Sequence, residues 1–93
     1  MRRALLRSSA IARAAKRFIK RHPNVADDLR TTLTLLEEDA FHPSLKTHKL
    51  MGKLDGSWAC SAGYDLRIVC SFVEHEGAEA ILLETVGTHD EVY

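Results

Sequence analysis

The spacing of the apolar residues changes once along this chain, and that change constrains the fold more than any other feature. In the first half the spacing is helical. Ile11, Ala15, Phe18 and Ile19 recur at i, i+4, i+7 and i+8, one stripe of a helix. Ser8 or Ser9 stands where a hydroxyl can cap its first turn. His22-Pro23-Asn24 ends it, because proline disfavours helical geometry in the residue before it. A second helix is predicted next, capped by Asn24, with Asp27 and Asp28 in its first turn. It places Val25, Leu29, Leu33 and Leu36 on one face and fades near Asp39. Past Phe41-His42-Pro43 the helical period is gone. Residues 44–56 read as a loop that could hold one short strand near Leu50, with Gly52 and Gly56 bracketing a turn. From Ser57 the period is two. Trp58, Cys60 and Ala62 share a face, and Gly63-Tyr64 reverses the chain. Asp65 to Val73 is the clearest strand. Its Leu66, Ile68, Cys70 and Phe72 point one way, and its Asp65, Arg67, Val69, Ser71 and Val73 the other. His75-Glu76-Gly77 forms a turn and Glu79 to Val86 a third strand. With an edge strand at Ala4-Leu5-Leu6, the order is β-α-α-β-β-β. This is an α+β fold, a two-helix hairpin packed on a small antiparallel sheet.

The chain has 93 residues, the size of one domain spanning 1–93. No apolar run approaches the ~20 residues of a membrane-spanning helix. Cys60 and Cys70 form no CxxC pair, and two reduced, buried thiols suit a cytoplasmic protein. Equal numbers of basic and acidic residues, 13 each, hide a strong segregation. Residues 1–21 carry eight cations and no acid, and residues 22–45 carry five acids against Arg30. Lys46, Lys49 and Lys53 follow, and from Leu54 onward eight acids face the single Arg67. Blocks of this kind give a molecule polarised faces. The acid-free, Arg-, Ser- and Ala-rich start also has the composition of an organellar transit peptide. The helical pattern runs on from it without a break, which favours its being the first strand and helix of the fold.

Few residues suggest chemistry by themselves. Asp65 and Arg67, two apart on a strand, share a face that the apolar alternation leaves away from the helices. The same spacing serves an ordinary surface ion pair. His89 lies in a polar tail directly after the third strand, where an imidazole can exchange a proton near neutral pH. Lys46-Thr47-His48-Lys49, with Lys53, gathers cations around a second imidazole. Such cations favour neutral histidine and suit a phosphodiester backbone. His22, His42 and His75 are scattered, and no HExxH, paired-cysteine or His-x-His grouping points to a metal. No P-loop, GxGxxG or GxSxG occurs. Trp58, on the face of Cys60, reads as core rather than as a platform for a nucleobase.

Two blocks of the second half resemble the RelE/ParE superfamily of type II toxins, and its YafQ-like branch in particular. One is His42-Pro43-Ser44-Leu45-Lys46-Thr47-His48-Lys49-Leu50 with the glycines after it. The other is the tail Gly87-Thr88-His89-Asp90-Glu91-Val92-Tyr93. The resemblance spans slightly more than half the chain. It implies a cytoplasmic, metal-independent endoribonuclease with no cofactor, cutting messenger RNA on the ribosome and neutralised by a cognate antitoxin protein. In that chemistry the ribose 2′-hydroxyl attacks the adjacent phosphate, which requires a base, positive charge for the phosphorane and an acid for the leaving 5′-oxygen. The resemblance assigns the acid to His89. It places His48 and Asp65 at further acid, base or substrate-contacting positions, Arg67 at a phosphate-stabilising arginine of other members, and Tyr93 at an aromatic that meets RNA bases. Lys46, Lys49 and Lys53 are then RNA-binding. Two departures stand out. Ser61 occupies the place of a second histidine on the middle strand, and the net charge of zero is unusual for an RNA-binding toxin. Members of the superfamily that poison gyrase generally lack the histidine-bearing tail, so a non-catalytic interaction module is the competing expectation.

Overall fold

A computed structural model describes residues 1–63 and 65–92. Strand β1 (Ala4–Arg7) leads into helix α1 (Ser9–Arg21), and a short 3-10 turn at Pro23–Val25 connects it to helix α2 (Ala26–Glu38). Strand β2 (His48–Lys49) lies between two further 3-10 turns. Strands β3 (Trp58–Ala62), β4 (Leu66–His75) and β5 (Ala78–Thr88) then follow, and a last helical turn, α3 (His89–Val92), closes the described chain. The α+β class, the two helices and the strands therefore match the reading of the sequence.

Local chemistry explains most of the boundaries. Ser8 caps α1, its hydroxyl accepting from the Ile11 N–H at 3.2 Å, and Lys20 and Arg21 sit favourably at the negative end of the helix. Asn24 does not cap α2. It is taken up in the Pro23–Val25 turn, the capping position falls to Val25 without a side-chain bond, and Asp27 and Asp28 alone serve that end. The β4–β5 loop is Glu76-Gly77, with φ of 52° and 79°, the left-handed pair that a two-residue hairpin of matching twist requires.

The sheet order is β1-β5-β4-β3-β2. From β2 to β5 every pair is antiparallel, but β1 joins β5 in parallel, so the sheet is mixed. A parallel pair needs a long connection, here both helices and the whole meander. Alternation within Ala4–Leu6 carries no record of a partner's direction.

The helices cover one face. Ile11, Phe18, Leu29 and Leu36 pack there on Cys60, Leu66, Ile68, Cys70, Ile81 and Leu83, with Trp58 and Phe72 at the border. Trp58 is core-edge structure, set edge-on to Phe41 at 5.6 Å and Phe72 at 5.3 Å. Val69, Ala59 and Leu50 form a second, smaller core on the opposite face, flanked by Leu54 and Val92. Among the described residues, no helix is long and apolar enough to cross a membrane.

One irregularity shifts everything downstream of it. Val69 pairs with Thr85 but Cys70 pairs with Leu83, which leaves Glu84 as an extra residue on β5. The Glu84 carboxylate accepts from the Ser57 hydroxyl at 3.0 and 3.2 Å, tying the bulge to the start of β3. After the bulge the phase of β5 reverses. Val86 joins Ile81 and Leu83 under the helices, while Thr85 and Gly87 move to the other face.

Candidate functional site

Residues opposite one another in a ladder share a face. One row runs His48, Ala59, Val69, Thr85, and the next runs Ser61, Arg67, Gly87. The face away from the helices therefore carries His48 on the edge strand, Ser61 and Arg67 centrally, and the start of α3 at its far border. Asp65 closes that border: its Oδ1 accepts from the His89 backbone N–H at 3.3 Å. The face that carries His48 and Arg67 is thus bordered by Asp65 and the backbone of His89.

Each of these residues is held in its own way. The Nδ1 of His48 lies 2.8 Å from the Lys46 carbonyl. A carbonyl only accepts, so Nδ1 carries the hydrogen and Nε2 is the nitrogen left for other partners. Lys46 makes this possible by taking a left-handed conformation (φ 52°, ψ 39°), uncommon for a residue with a Cβ, as the chain leaves the Pro43–Leu45 turn. Arg67 is half-buried, its Nη1 donating to the Leu66 carbonyl at 3.0 Å. His89 is exposed, with Nδ1 3.5 Å from the Asp90 carboxylate. His48 and the end of β5 stand three strands apart, roughly 14 Å at ~4.8 Å per strand. The two imidazoles therefore flank the strand bearing Arg67 and do not touch.

The lysines are less unified than their spacing suggested. Lys49, next to His48 on a strand, faces the other way and sets Nζ 5.5 Å from the Trp58 ring centre. Lys53 lines a cleft with Leu50, Met51, Leu54 and Val92, beside the open face. Lys46 is exposed at the turn before β2. Tyr93 lies outside the described residues. Among the described residues no three His, Cys, Asp or Glu side chains group as a metal site.

A set of residues around the tail had no part in the reading of the sequence, although its signal was there. Thr88-His89-Asp90-Glu91 is a capping box, Thr-x-x-Glu. The Thr88 N–H donates to Glu91 Oε1 at 2.8 Å, and the Glu91 N–H donates to the Thr88 hydroxyl at 3.3 Å. Glu91 Oε2 also accepts from Arg21 Nη1 of α1 at 3.1 Å. The Thr88 N–H above all, helped by the Thr88 hydroxyl and Arg21, holds the Glu91 carboxyl below its ordinary value.

No family model and no curated protein sequence matches this chain. Solved structures do. The crystal structure of YafQ from E. coli strain BL21(DE3) superposes with a TM-score of 0.78 at 19% identity, over 98% of each chain. The fold is shared. In the E. coli DinJ-YafQ toxin-antitoxin complex the values are 0.76 and 21%, over 100% of this chain and 99% of the other. A YoeB/ParE toxin from Agrobacterium tumefaciens gives 0.72 and 12%, over 92% of this chain and 98% of that one. This chain thus shares the fold of these structures along nearly its whole length.

Proposed function

We propose that this chain is the toxin of a toxin–antitoxin pair, a metal-independent endoribonuclease that cleaves messenger RNA on the ribosome in the cytoplasm. The observation that carries the reading is that one open face holds His48, with Nε2 left for other partners, and Arg67, and is bordered by the turn that bears His89. In this mechanism Nε2 of His48 takes the proton of a ribose 2′-hydroxyl as that oxygen attacks the adjacent phosphorus. Arg67 offsets the charge that gathers on the phosphorane oxygens. His89, protonated, gives its proton to the departing 5′-oxygen, leaving a 2′,3′-cyclic phosphate and a free 5′-hydroxyl. Asp65 holds the backbone of His89. Lys46 and Lys53 hold the RNA backbone, Lys49 braces Trp58 with its charge at the rim, and Tyr93 stacks on a base. The two histidines act on one phosphate, and their side chains converge on it from β2 and from the turn after β5. Ser61, which neither gives nor takes a proton at neutral pH, then has no step to perform. The partner is an antitoxin, in keeping with the DinJ-YafQ complex among the fold relatives.

Expression in bacteria without the antitoxin tests the reading. Growth arrest is expected, with discrete new messenger RNA 5′ ends by primer extension. His89→Ala should reduce cleavage on the order of 10²-fold or more, the size of a lost general acid. Arrest without new RNA ends would replace the nuclease with a non-catalytic module that acts by binding a protein such as gyrase.

A further inference from the structure

Helix α3 is a single turn of four residues, His89–Val92, and one turn does not hold itself together in water. Four contacts hold this one. Val92 packs on the small core of Leu50, Ala59 and Val69. Asp65 accepts from the His89 N–H. Gly87 lets the turn fold back against it; a Cβ there would stand 3.1 Å from Glu91 Cβ and 3.2 Å from Val92 Cγ1. The fourth contact is Glu91, whose carboxylate is divided between two jobs. Oε1 takes the Thr88 N–H of the tail's own backbone, and Oε2 takes the Arg21 guanidinium of α1.

We infer that Glu91, backed by Arg21, is a positioning residue: it fixes the turn that presents His89 and ties that turn to the first helix. The inference rests on the role proposed for His89. Glu91 touches no reacting atom in this scheme. Its carboxylate secures the N–H immediately before His89 while the Asp65 carboxylate secures the N–H of His89 itself, so two consecutive backbone amides are held by side chains from separate parts of the chain. Backbone placement at those two amides sets where the imidazole can swing. The two jobs of Glu91 are unequal. The capping bonds are local and directional. The Arg21 pair is exposed on both sides, 62% and 41%, and so is weakened by salt.

The division of labour predicts an order among variants. Glu91→Gln keeps an oxygen for the Thr88 N–H and loses only the charge. Glu91→Ala loses both jobs, and Arg21→Ala loses the tether alone. In single-turnover cleavage of ribosome-bound messenger RNA, Glu91→Ala should lower the limiting rate on the order of tenfold, because the turn, still docked through Val92, no longer fixes where His89 points, and a misplacement of about 1 Å costs up to about 10²-fold. The toxin concentration giving half that rate should change by less than about twofold, as expected for a group that acts on the transition state and not on binding. Glu91→Gln and Arg21→Ala should each stay within about threefold of the parent. Amide hydrogen exchange gives a second readout independent of activity: Thr88 and His89 should be protected in the parent and in Glu91→Gln and unprotected in Glu91→Ala. Protected amides and a full rate in Glu91→Ala would overturn the inference, and so would a Glu91→Gln as damaged as Glu91→Ala. If His89→Ala cleaves like the parent, the catalytic reading fails on its own, and the exchange pattern still decides whether Glu91 orders the tail.

Discussion

Gly87→Ala isolates the docking of the tail from the stability of the sheet. The β5 backbone at Gly87 lies outside the left-handed region, so alanine meets no conformational penalty there, and any effect is steric. The added methyl would lie 3.1 Å from Glu91 Cβ, 3.2 Å from Val92 Cγ1 and 3.3 Å from Glu91 Oε1. All three belong to α3, so the overlap falls on the tail alone. Overpacking of this kind costs about 1–3 kcal/mol where the surroundings cannot move. The tail can move, and its docking energy caps the damage. A helix cap contributes about 1 kcal/mol and half-burial of Val92 about another, so docked and undocked tails stand at about 30 to 1. A clash of about 2 kcal/mol brings them near parity, and one of about 3 kcal/mol leaves roughly one tail in six docked. RNA cleavage should therefore fall about two- to sixfold, while protection of the Thr88 and His89 amides falls about fifteen- to twenty-fivefold. Thermal unfolding followed by far-ultraviolet circular dichroism should scarcely move. A drop in Tm of about 4–8 °C with the tail amides still protected would refute the reasoning, because it would mean that the sheet absorbs the strain.

Other outcomes follow from the same geometry. Arg67→Ala should lower the cleavage rate more than RNA affinity, as expected of a group that meets charge developing on the phosphorane; a loss confined to binding, measured by titration with a non-cleavable RNA, would make it a backbone contact. The Cys60 and Cys70 thiols, pushed up to about 12 by burial, should resist alkylation at pH 8 until the protein is unfolded. Because the unfolded thiols ionise near 9.0 and the folded ones do not, stability should decline as pH rises from about 9 toward 12, read as a falling urea midpoint. The Glu91 carboxyl is lowered in the folded tail, so the share of tail docking that depends on its charge is full above its ordinary value of 4.5 and is lost as pH falls through the folded value. Protection of the Thr88 amide should accordingly weaken below pH 4.5 without vanishing, because the protonated acid, like Glu91→Gln, keeps an oxygen for that N–H.

How much could be read beforehand differed by element. Strand β4 was visible because both its faces are buried by different things, Leu66, Ile68 and Cys70 by the helices and Val69 by the loop that carries Leu50. Its alternation is thus apolar against mixed, the pattern of a central strand. The parallel pairing of β1 was not visible, since four residues with one neighbour have no pattern that reports direction. Asn24 misled because capping depends on backbone angles that Pro23 reassigns to a 3-10 turn. Lys49 misled because charge clustering along the chain ignores the twofold alternation of a strand. On the site, strand alternation gave the shared face of Arg67 with Val69, but the arrival of the tail beside it depends on the β5 bulge, which no pattern announces. Glu91 was missed although Thr-x-x-Glu stood in the sequence, because a capping box is sought before long helices and this one precedes a single turn.

The β5 bulge ties these observations together. Without an extra residue at Glu84, strict alternation from Ile81 and Leu83 would carry Thr85 and Gly87 to the helix-covered side, and the tail would leave the strand toward α1 and α2. Arg67 would then face outward with no neighbour from the chain's end, while His89 emerged on the opposite face. With the bulge, Gly87 stands beside Arg67, and the turn after it packs on Val69 through Val92. The Ser57–Glu84 hydrogen bonds fix the bulge from β3, the strand that also holds β2 and His48. One inserted residue thus sets which face receives the tail, and a side chain from the His48 end of the sheet holds that residue in place. The turn that bears His89 borders the face of His48 for this reason, although the two histidines lie more than forty residues apart in sequence.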